Sequence, residues 1–231
     1  MSSARKWIQR FVRFLMRQLI DFECHGAQNF PAEGPLIVYF NHINLVDPAL
    51  AVAVVPREVI PMSKVENMDH PLIGPLARLY GVIPVRRGEA DVQAFKRSLE
   101  VLRAGKALLI APEGTRSGHG QLLEAKDGLT RLAVRSEATA IPVALVGQET
   151  FRSRLSRLRR TRVYCWVGRP FRFVKAAGAR LTHYEWRAMT AEAMAELAAL
   201  LPPANRGAYG ALVAQPRQWI QYETAPVIAG R

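Results

Sequence analysis

Short apolar runs recur along the chain and predict the strands of a buried sheet. Each run is only a few residues long and lacks the strict apolar-polar alternation of a half-exposed strand, which is typical of strands covered on both faces. The predicted strands are 36–40, 59–62, 82–85, 107–111, 140–146 and 163–167.

Segments with the apolar spacing of helices lie between these runs. In the segment 91–104, Phe95 and Leu99 share one face, and either Asp91 or Glu89 is the expected N-cap. Further helices are predicted over 48–55, 126–136 and about 183–201. Because strands and helices alternate, we expect one α/β domain with a mixed, largely parallel sheet flanked by helices.

The N-terminal segment predicts an amphipathic helix of a different kind. A cationic stripe of Lys6, Arg10, Arg13 and Arg17 lies opposite an apolar arc that includes Trp7, Phe11 and Phe14. This pattern suits the interface of an anionic membrane, whereas the alternative is a helix that packs its apolar face on its own domain. We therefore divide the chain into a membrane-interface helix (1–22), a main domain (23–210) and a C-terminal tail (211–231).

Composition narrows the class of partner. The 231 residues are 49% hydrophobic, which excludes a disordered basic tail, and the net charge of +13 indicates an anionic partner. Nucleic acid, an anionic membrane and a phosphorylated substrate all fit. The two cysteines point to a reducing, cytoplasmic setting, and no apolar run approaches the roughly 20 residues of a membrane span. A peripheral location on the cytoplasmic side of the cell membrane follows as an expectation.

Polar clusters follow four of the predicted strands, at the point where each strand ends. Ligands of open α/β sheets bind beyond the carboxyl ends of the strands, so neighbouring parallel strands would bring these clusters to one crevice. The clusters are Asn41 with His42, Ser63 with Lys64, Arg86 with Arg87, and Glu113 with Arg116.

The first cluster has the chemistry of a general base. Asp47 and Pro48 look like a helix start, with the aspartate as N-cap, so the chain turns between His42 and Asp47. Such a turn can bring the carboxylate to one imidazole nitrogen and leave the other free to accept a proton. The alternative is that Asp47 only caps the helix. No G-x-S-x-G motif accompanies the histidine, so a covalent acyl-enzyme has little support.

The remaining clusters are suited to binding an anion. Gly114 allows a close turn after a strand, and Arg116 presents a planar fork that fits phosphate. Glu113 can accept hydrogen bonds from substrate hydroxyls or hold Arg116. Taken alone, this segment could be a surface loop, and Arg86 and Arg87 could be solvated charge. The other histidines are scattered, so we predict no metal.

Two of these segments match motifs of a known family. Asn41, His42 and Asp47 resemble the first motif (NHxxxxD) of the lysophospholipid and glycerophosphate acyltransferase family, of which the bacterial 1-acylglycerol-3-phosphate acyltransferases are the type. In that family the histidine and aspartate form the catalytic dyad. The segment 113–117 reproduces the third motif, EGTRS.

The other two motifs of the family follow in the same order. The second motif is resembled by Lys64, Pro71, Gly74 and the segment 81–87. Its terminal arginine, which binds the acceptor's phosphate, corresponds to Arg87, while Arg86 stands where many members have aspartate. The segment 140–143 resembles the fourth motif, whose proline, here Pro142, helps shape the site. The resemblance covers about residues 36–145, with an echo near 201–209.

The resemblance implies a glycerolphosphate-acyltransferase-like fold and a single-displacement reaction. His42, oriented by Asp47, would take the proton from the sn-2 hydroxyl of 1-acylglycerol 3-phosphate, and the alkoxide would attack the thioester of acyl-CoA or acyl-carrier protein. Phosphatidic acid would form without a cofactor other than this acyl donor. The implied substrate-binding residues are Lys64, Arg87, Glu113, Gly114, Thr115 and Arg116, supported by Asn41, Arg86 and Pro142.

Two alternatives remain open on the sequence. The same chemistry could act on another lysolipid, such as a lyso-ornithine lipid, a lysophospholipid or a glycolipid. A non-catalytic basic adaptor would bind a membrane or nucleic acid through the N-terminal helix and the arginine-rich stretch 151–162. In an enzyme that acts on lipids, this stretch would fit an anionic lipid surface or an acidic carrier protein, and the alternative is a solvated loop. Because nucleic-acid motifs are missing and aromatic residues near this stretch are few, we expect no nucleic-acid partner.

Overall fold

A computed structural model describes residues 2–71, 73–88, 91–176, 178 and 180–223. The strands are β1 Ile20–His25, β2 Leu36–Phe40, β3 Val59–Lys64, β4 Ile83–Val85, β5 Ala107–Ile110, β6 Thr139–Val146, β7 Thr161–Val167, β8 Phe171–Phe173 and β9 Ile220–Tyr222. The helices are α1 Ser2–Leu19, α2 Asp47–Val54, α3 Ile73–Tyr80, α4 Val92–Arg103, α5 Gly128–Ser136, α6 Phe151–Leu155 and α7 His183–Ala199. Short 3-10 helices span Ala27–Asn29, Val65–Met68, Gln148–Thr150, Pro203–Asn205 and Gly207–Leu212.

The strands form one mixed sheet in the order β1-β7-β6-β2-β5-β3-β4. The five strands from β6 to β4 are parallel to one another, and β7 runs antiparallel to β6. The edge strand β1 pairs in parallel with β7, while β8 pairs with β6 and β9. The prediction of a largely parallel α/β sheet flanked by helices is confirmed.

The core lies on both faces of the sheet, as the continuous apolar runs predict. In β2, Ile37 and Tyr39 face the cluster that contains residues of α4, α5 and α7. Leu36, Val38 and Phe40 face the opposite cluster, which contains residues of α1 and α2. Since every side chain of β2 is buried, its sequence shows no alternation.

Several elements depart from the predicted boundaries. The helix α1 ends at Leu19, and the residues that follow form β1, whose exposure alternates because it is an edge strand. Within the stretch predicted as a tail, Ile220–Tyr222 forms β9 and joins the sheet through β8. The helix α4 is capped by Asp91, whose side chain accepts a bond from Ala94 N, whereas Glu89 lies outside the described residues. The three-part division of the chain stays a prediction.

Candidate active site

The sheet order brings the four polar clusters to one edge. Because β2, β5, β3 and β4 are parallel neighbours, their carboxyl ends lie side by side. Asn41 and His42 follow β2, Glu113 follows β5 in the next loop, and Lys64 ends β3. Arg86 and Arg87 follow β4. All four predicted clusters therefore lie at one edge of the sheet.

The imidazole of His42 is held in one orientation by a buried carboxylate. Its Nδ1 lies 3.1 Å from Oδ2 of Asp47, and Asp47 is fully buried. Among the residues that the structure describes, Nε2 of His42 has no hydrogen-bond partner. A carboxylate bonded to Nδ1 fixes the tautomer in which Nε2 is unprotonated and can accept a proton.

The carboxylate of Asp47 binds backbone amides of the loop before α2 and does not cap that helix. Its Oδ2 accepts bonds from the backbone amides of Ile43 and Asn44, both at 2.6 Å. The N-cap of α2 is Val46, which makes no side-chain cap, so the prediction that Asp47 is the N-cap is wrong. Asp47 Oδ1 is buried without a partner in the structure. The carboxylate thus closes the turn that sets its own distance to His42.

Backbone bonds fix the position of His42 from two sides. Its amide donates to Oε1 of Glu113 at 2.8 Å, and its carbonyl accepts from the amide of Ser117 at 2.8 Å. Asn41, one residue earlier, exchanges two bonds with the backbone of Leu145 at the end of β6, at 2.9 and 2.8 Å. These contacts join the loop after β2 to the loop after β5 and to β6.

Glu113 lies inside the protein and binds backbone amides with both oxygens. Oε2 accepts from Leu123 N at 2.8 Å, in addition to the bond from His42. Burial raises the pKa of Glu113 to about 7, and the charge of Asp47 acts in the same direction, although the two amide bonds oppose the shift. The contacts observed for Glu113 therefore position the loop of His42.

The predicted anion-binding cations lie at the same edge of the sheet. Arg86, Arg87 and Arg116 are exposed, and the half-exposed Lys64 approaches Glu66 at 3.4 Å. Partial burial lowers the pKa of Arg87, as does the neighbouring charge of Arg116, while Glu66 opposes the shift. A group of cations at one edge of the sheet favours an anionic ligand.

The loop after β5 supplies the other predicted contacts. Gly114 adopts a positive φ of 69°, a left-handed conformation that favours glycine, and Thr115 is exposed. Pro142 lies apart from this loop, in β6 opposite Tyr39, where its carbonyl accepts a bond from Gly168 N. It packs closely against Gly168, since a Cβ there would lie 2.6 Å from its Cγ.

A largely apolar cavity of about 540 Å³ opens beside these cations. Lys64, Arg87 and Gly114 line it together with apolar side chains of β3, β4, β5, α4 and α5, while His42 does not line it. The apolar lining residues include Met62, Val85, Val92, Phe95, Ile110, Leu129 and Leu132. The cavity is thus suited to an alkyl chain whose polar end lies near Lys64 and Arg87.

Sequence reasoning missed several residues that hold or extend the site. Ser117 and Gln148 are buried polar residues, and Gln148 Nε2 donates to the same Leu145 carbonyl that Asn41 binds. Lys126 lines the cavity near Gly114. The one available signal was that Ser117 closes the EGTRS segment, because Gln148 and Lys126 become neighbours only through the fold.

The cationic stripe of α1 is divided between two environments. Arg13 donates to the carbonyl of Val55, and burial lowers its pKa, whereas Lys6, Arg10 and Arg17 are exposed. The apolar arc remains uncovered, with Trp7, Phe11 and Phe14 between 60 and 69% exposed.

The helix packs on its domain through a different face. Arg5 and Gln9 are buried polar residues of this face, and Met16 joins the core. Within the described ranges, no helix is both long and apolar enough to cross a membrane.

The fold and the site define a class of protein. A histidine oriented by a buried carboxylate, at the carboxyl edge of a parallel sheet, is suited to removing a proton from a bound substrate. The sequence model of the Acyltransferase family matches residues 21–146, which include this edge. The chain belongs to the Acyltransferase family.

Individual relatives agree with this family. The chain is 32% identical over 131 residues to the 1-acyl-sn-glycerol-3-phosphate acyltransferase of Limnanthes alba, covering 55% of this chain and 46% of that protein. It is 32% identical over 170 residues to the lyso-ornithine lipid O-acyltransferase of Pseudomonas aeruginosa, covering 66% and 65%. The chain spans about half the length of most curated relatives that it matches.

A solved structure supports the fold. The crystal structure of the 1-acyl-sn-glycerophosphate acyltransferase of Thermotoga maritima matches with a TM-score of 0.60 and 24% identity, covering 83% of this chain and 78% of that one. At this identity the likeness concerns the architecture alone.

Proposed function

We propose that this protein transfers a fatty acyl group from acyl-CoA or acyl-carrier protein to the sn-2 hydroxyl of 1-acylglycerol 3-phosphate. The observation that supports this proposal best is the His42–Asp47 pair, whose free Nε2 lies at the same sheet edge as the cations. His42 takes the hydroxyl proton, the alkoxide oxygen bonds to the thioester carbonyl carbon, and the carbon–sulfur bond breaks. The thiolate leaves and takes up the proton that His42 holds, so that His42 is again neutral.

Each substrate part has a matching surface. Arg87, Arg116 and Lys64 hold the acceptor's phosphate, because guanidinium and ammonium groups bind phosphate oxygens directly. The apolar cavity beside Lys64 and Arg87 receives an alkyl chain of one substrate. General-base catalysis contributes about 10²- to 10⁴-fold, so positioning of the two substrates must supply much of the remaining acceleration.

A lyso-ornithine lipid acceptor is the second candidate. It is favoured by the relative from Pseudomonas aeruginosa, which is named for that activity and is matched over 66% of this chain. An ornithine lipid has no phosphate, so a site built around Arg87 and Arg116 would bind a different group of the acceptor.

Thiol release from acyl-CoA with a panel of lysolipids separates the two acceptors. We expect release with 1-acylglycerol 3-phosphate. We expect Arg87→Ala to raise KM for this acceptor by about tenfold or more, since one charge-assisted hydrogen bond contributes about 1.5–3 kcal/mol. Release with lyso-ornithine lipid alone, and no effect of Arg87→Ala, would contradict the first proposal.

The membrane location also belongs to this proposal. The exposed aromatic side chains of α1 and the cations Lys6, Arg10 and Arg17 fit the interface of an anionic membrane, where the lipid acceptor resides. We place the protein peripherally, on the cytoplasmic side of the cell membrane.

Substitution tests the location better than deletion, because α1 contributes Arg5, Gln9 and Met16 to the interior. We expect Trp7→Ser, Phe11→Ser and Phe14→Ser together to reduce binding to phosphatidylserine vesicles while activity on detergent-dispersed acceptor remains. Undiminished vesicle binding would exclude the helix as an anchor. Loss of activity in detergent would point instead to a role of α1 in the site.

A further inference from the structure

The loop between β6 and β7 carries a concentration of charge that the proposed reaction does not use. We call residues 151–160 the arginine loop; it contains five arginines and no acidic residue. All its residues from 152 to 160 are exposed. The arginines are Arg152, Arg154, Arg157, Arg159 and Arg160.

The topology places the arginine loop at the catalytic edge of the sheet. The loop leaves the carboxyl end of β6, which is parallel to β2, the strand that leads into His42. It enters the amino end of β7, which is antiparallel to β6, so the loop returns at the same edge. The charge of the loop therefore lies at the same edge of the sheet as His42.

The arginine loop is bonded to the end of α1. The guanidinium of Arg160 donates to the carbonyl of Arg17 at 2.9 Å and to that of Ile20 at 2.6 Å, where the helix gives way to β1. These bonds satisfy carbonyls that the end of a helix leaves unpaired, and a cation there complements the helix dipole. One residue into β7, Arg162 pairs with Asp21 at 3.1 Å. The loop and the amphipathic helix thus meet at one place.

The tip of the arginine loop displays an apolar side chain to solvent. Leu158 is 94% exposed and has a φ of 54°, a left-handed conformation that is unfavourable for leucine. Leu155, one turn earlier, is 40% exposed. An apolar residue held outward at a strained position between arginines gains little in water, whereas it gains burial at a lipid interface whose head groups pair with the arginines.

We propose that the arginine loop is a second membrane contact, which binds the head groups of an anionic bilayer with its arginines and inserts Leu158 into the interface. Together with α1, it would hold the catalytic edge of the sheet toward the bilayer. An acidic carrier protein would also match the charge, but the exposed leucines and the bonds to α1 favour the lipid surface. The inference concerns binding alone and does not depend on which acceptor is acylated.

Charge removal on the full-length protein tests the electrostatic part. The test variant is Arg152→Gln, Arg157→Gln and Arg159→Gln, which keeps Arg154, bonded to the Arg160 carbonyl, and Arg160 itself. The matched control removes three exposed cations from α4 and the turn after it. These substitutions are Arg97→Gln, Arg103→Gln and Lys106→Gln.

Binding is measured by co-sedimentation without substrates, on phosphatidylcholine vesicles with and without phosphatidylserine. We expect the test variant to bind phosphatidylserine vesicles about tenfold more weakly than the control or worse, since each arginine near an anionic surface contributes up to about fivefold. On pure phosphatidylcholine the two variants should be equal. Equal binding of the two variants to phosphatidylserine vesicles would overturn the proposal. It would also be overturned if the test variant bound an acidic acyl-carrier protein more weakly but bound the vesicles as well as the control does.

Leu158→Asn tests the insertion without disturbing the fold, because asparagine tolerates a positive φ. We expect vesicle binding to fall severalfold while the urea midpoint of unfolding stays equal or rises. Unchanged vesicle binding would overturn the role of Leu158. Since acylation in detergent is assayed separately, a failure of the proposed reaction leaves these results interpretable.

Discussion

At the scale of single residues, the site is organised by carboxylates that bind backbone amides. Asp47 holds the turn that follows His42, and Glu113 holds the amide of His42 itself. Both carboxylates are buried, so each interaction is stronger than it would be in water and the loss of either partner is costly.

Glu113 makes the stability of the protein depend on pH. Its folded-state pKa is raised from 4.5 to about 7, so the folded state binds the proton more tightly than the unfolded state does. This contribution to stability is complete below pH 4.5 and is lost as pH rises through about 7, with a change of about 3 kcal/mol. Urea unfolding at a series of pH values should show this decrease for the native protein.

Glu113→Gln is the variant that isolates this effect. Glutamine has no ionisable group, so the pH-dependent contribution of this side chain disappears. Its side-chain N–H would face one of the two backbone amides, which lowers the unfolding free energy by about 1–3 kcal/mol. The difference in stability between the native protein and the variant should therefore shrink as pH rises toward 7. A difference that is constant with pH would refute the raised pKa.

The residue scale also shows the limit of sequence reasoning. The spacing of His42 and Asp47 predicts their contact, but the sequence assigns Asp47 to the helix cap because Asp-Pro pairs usually start helices. In the structure, the carboxylate of Asp47 instead accepts hydrogen bonds from the amides of Ile43 and Asn44. Such a choice depends on backbone dihedral angles in the loop, which residue types do not specify.

At the scale of elements, buried strands are predicted from the sequence better than exposed or very short ones. The strand β2 is buried throughout and is predicted with its observed bounds, because a strand covered on both faces is a continuous apolar run. The edge strand β1 has exposed Asp21 and Glu23, and β8 and β9 have three residues each, so none gives a sequence signal above that of a loop.

The helix α1 shows why a helical pattern alone does not say which face packs. Its aromatic arc is exposed, while Arg5 binds the Tyr80 carbonyl and Glu58, both at 2.6 Å, and Gln9 binds the carbonyl of Arg57 at 2.9 Å. Besides the apolar contact of Met16, the helix therefore docks through polar contacts with groups that belong to distant parts of the chain. No spacing rule predicts those partners.

Arg5→Ala and Arg10→Ala form a matched pair on this helix. Arg5→Ala leaves the Tyr80 carbonyl and Glu58 without their partner, so we expect the unfolding free energy to fall by about 1–3 kcal/mol. Arg10 is exposed and stacks only on Trp7, so its replacement should change stability by no more than about 0.5 kcal/mol. Equal losses in urea unfolding would contradict the packing of α1 through Arg5.

At the scale of the whole molecule, the residues with proposed functions lie at one edge of the sheet. The carboxyl ends of the parallel strands carry His42, which we propose as the base, and the cations around Arg87, which lines the cavity. The reversal of β7 and β1 brings the arginine loop and the end of α1 to the same edge. Part of the net charge of +13 thus lies where a phosphorylated lipid in an anionic membrane would approach.

The kcat/KM of His42→Ala tests most directly whether His42 acts as the general base of acyl transfer. Among the described residues, the His42 side chain forms a hydrogen bond only with Asp47, whose two backbone bonds remain in the variant, so the fold should survive. The exposed His25 provides the matched control, His25→Ala.

Thiol release with 1-acylglycerol 3-phosphate and acyl-CoA is the measurement. We predict that His42→Ala lowers kcat/KM by about 10²- to 10⁴-fold, with the urea midpoint unchanged and His25→Ala fully active. Turnover of a folded His42→Ala variant at the native rate would show that His42 is not the general base.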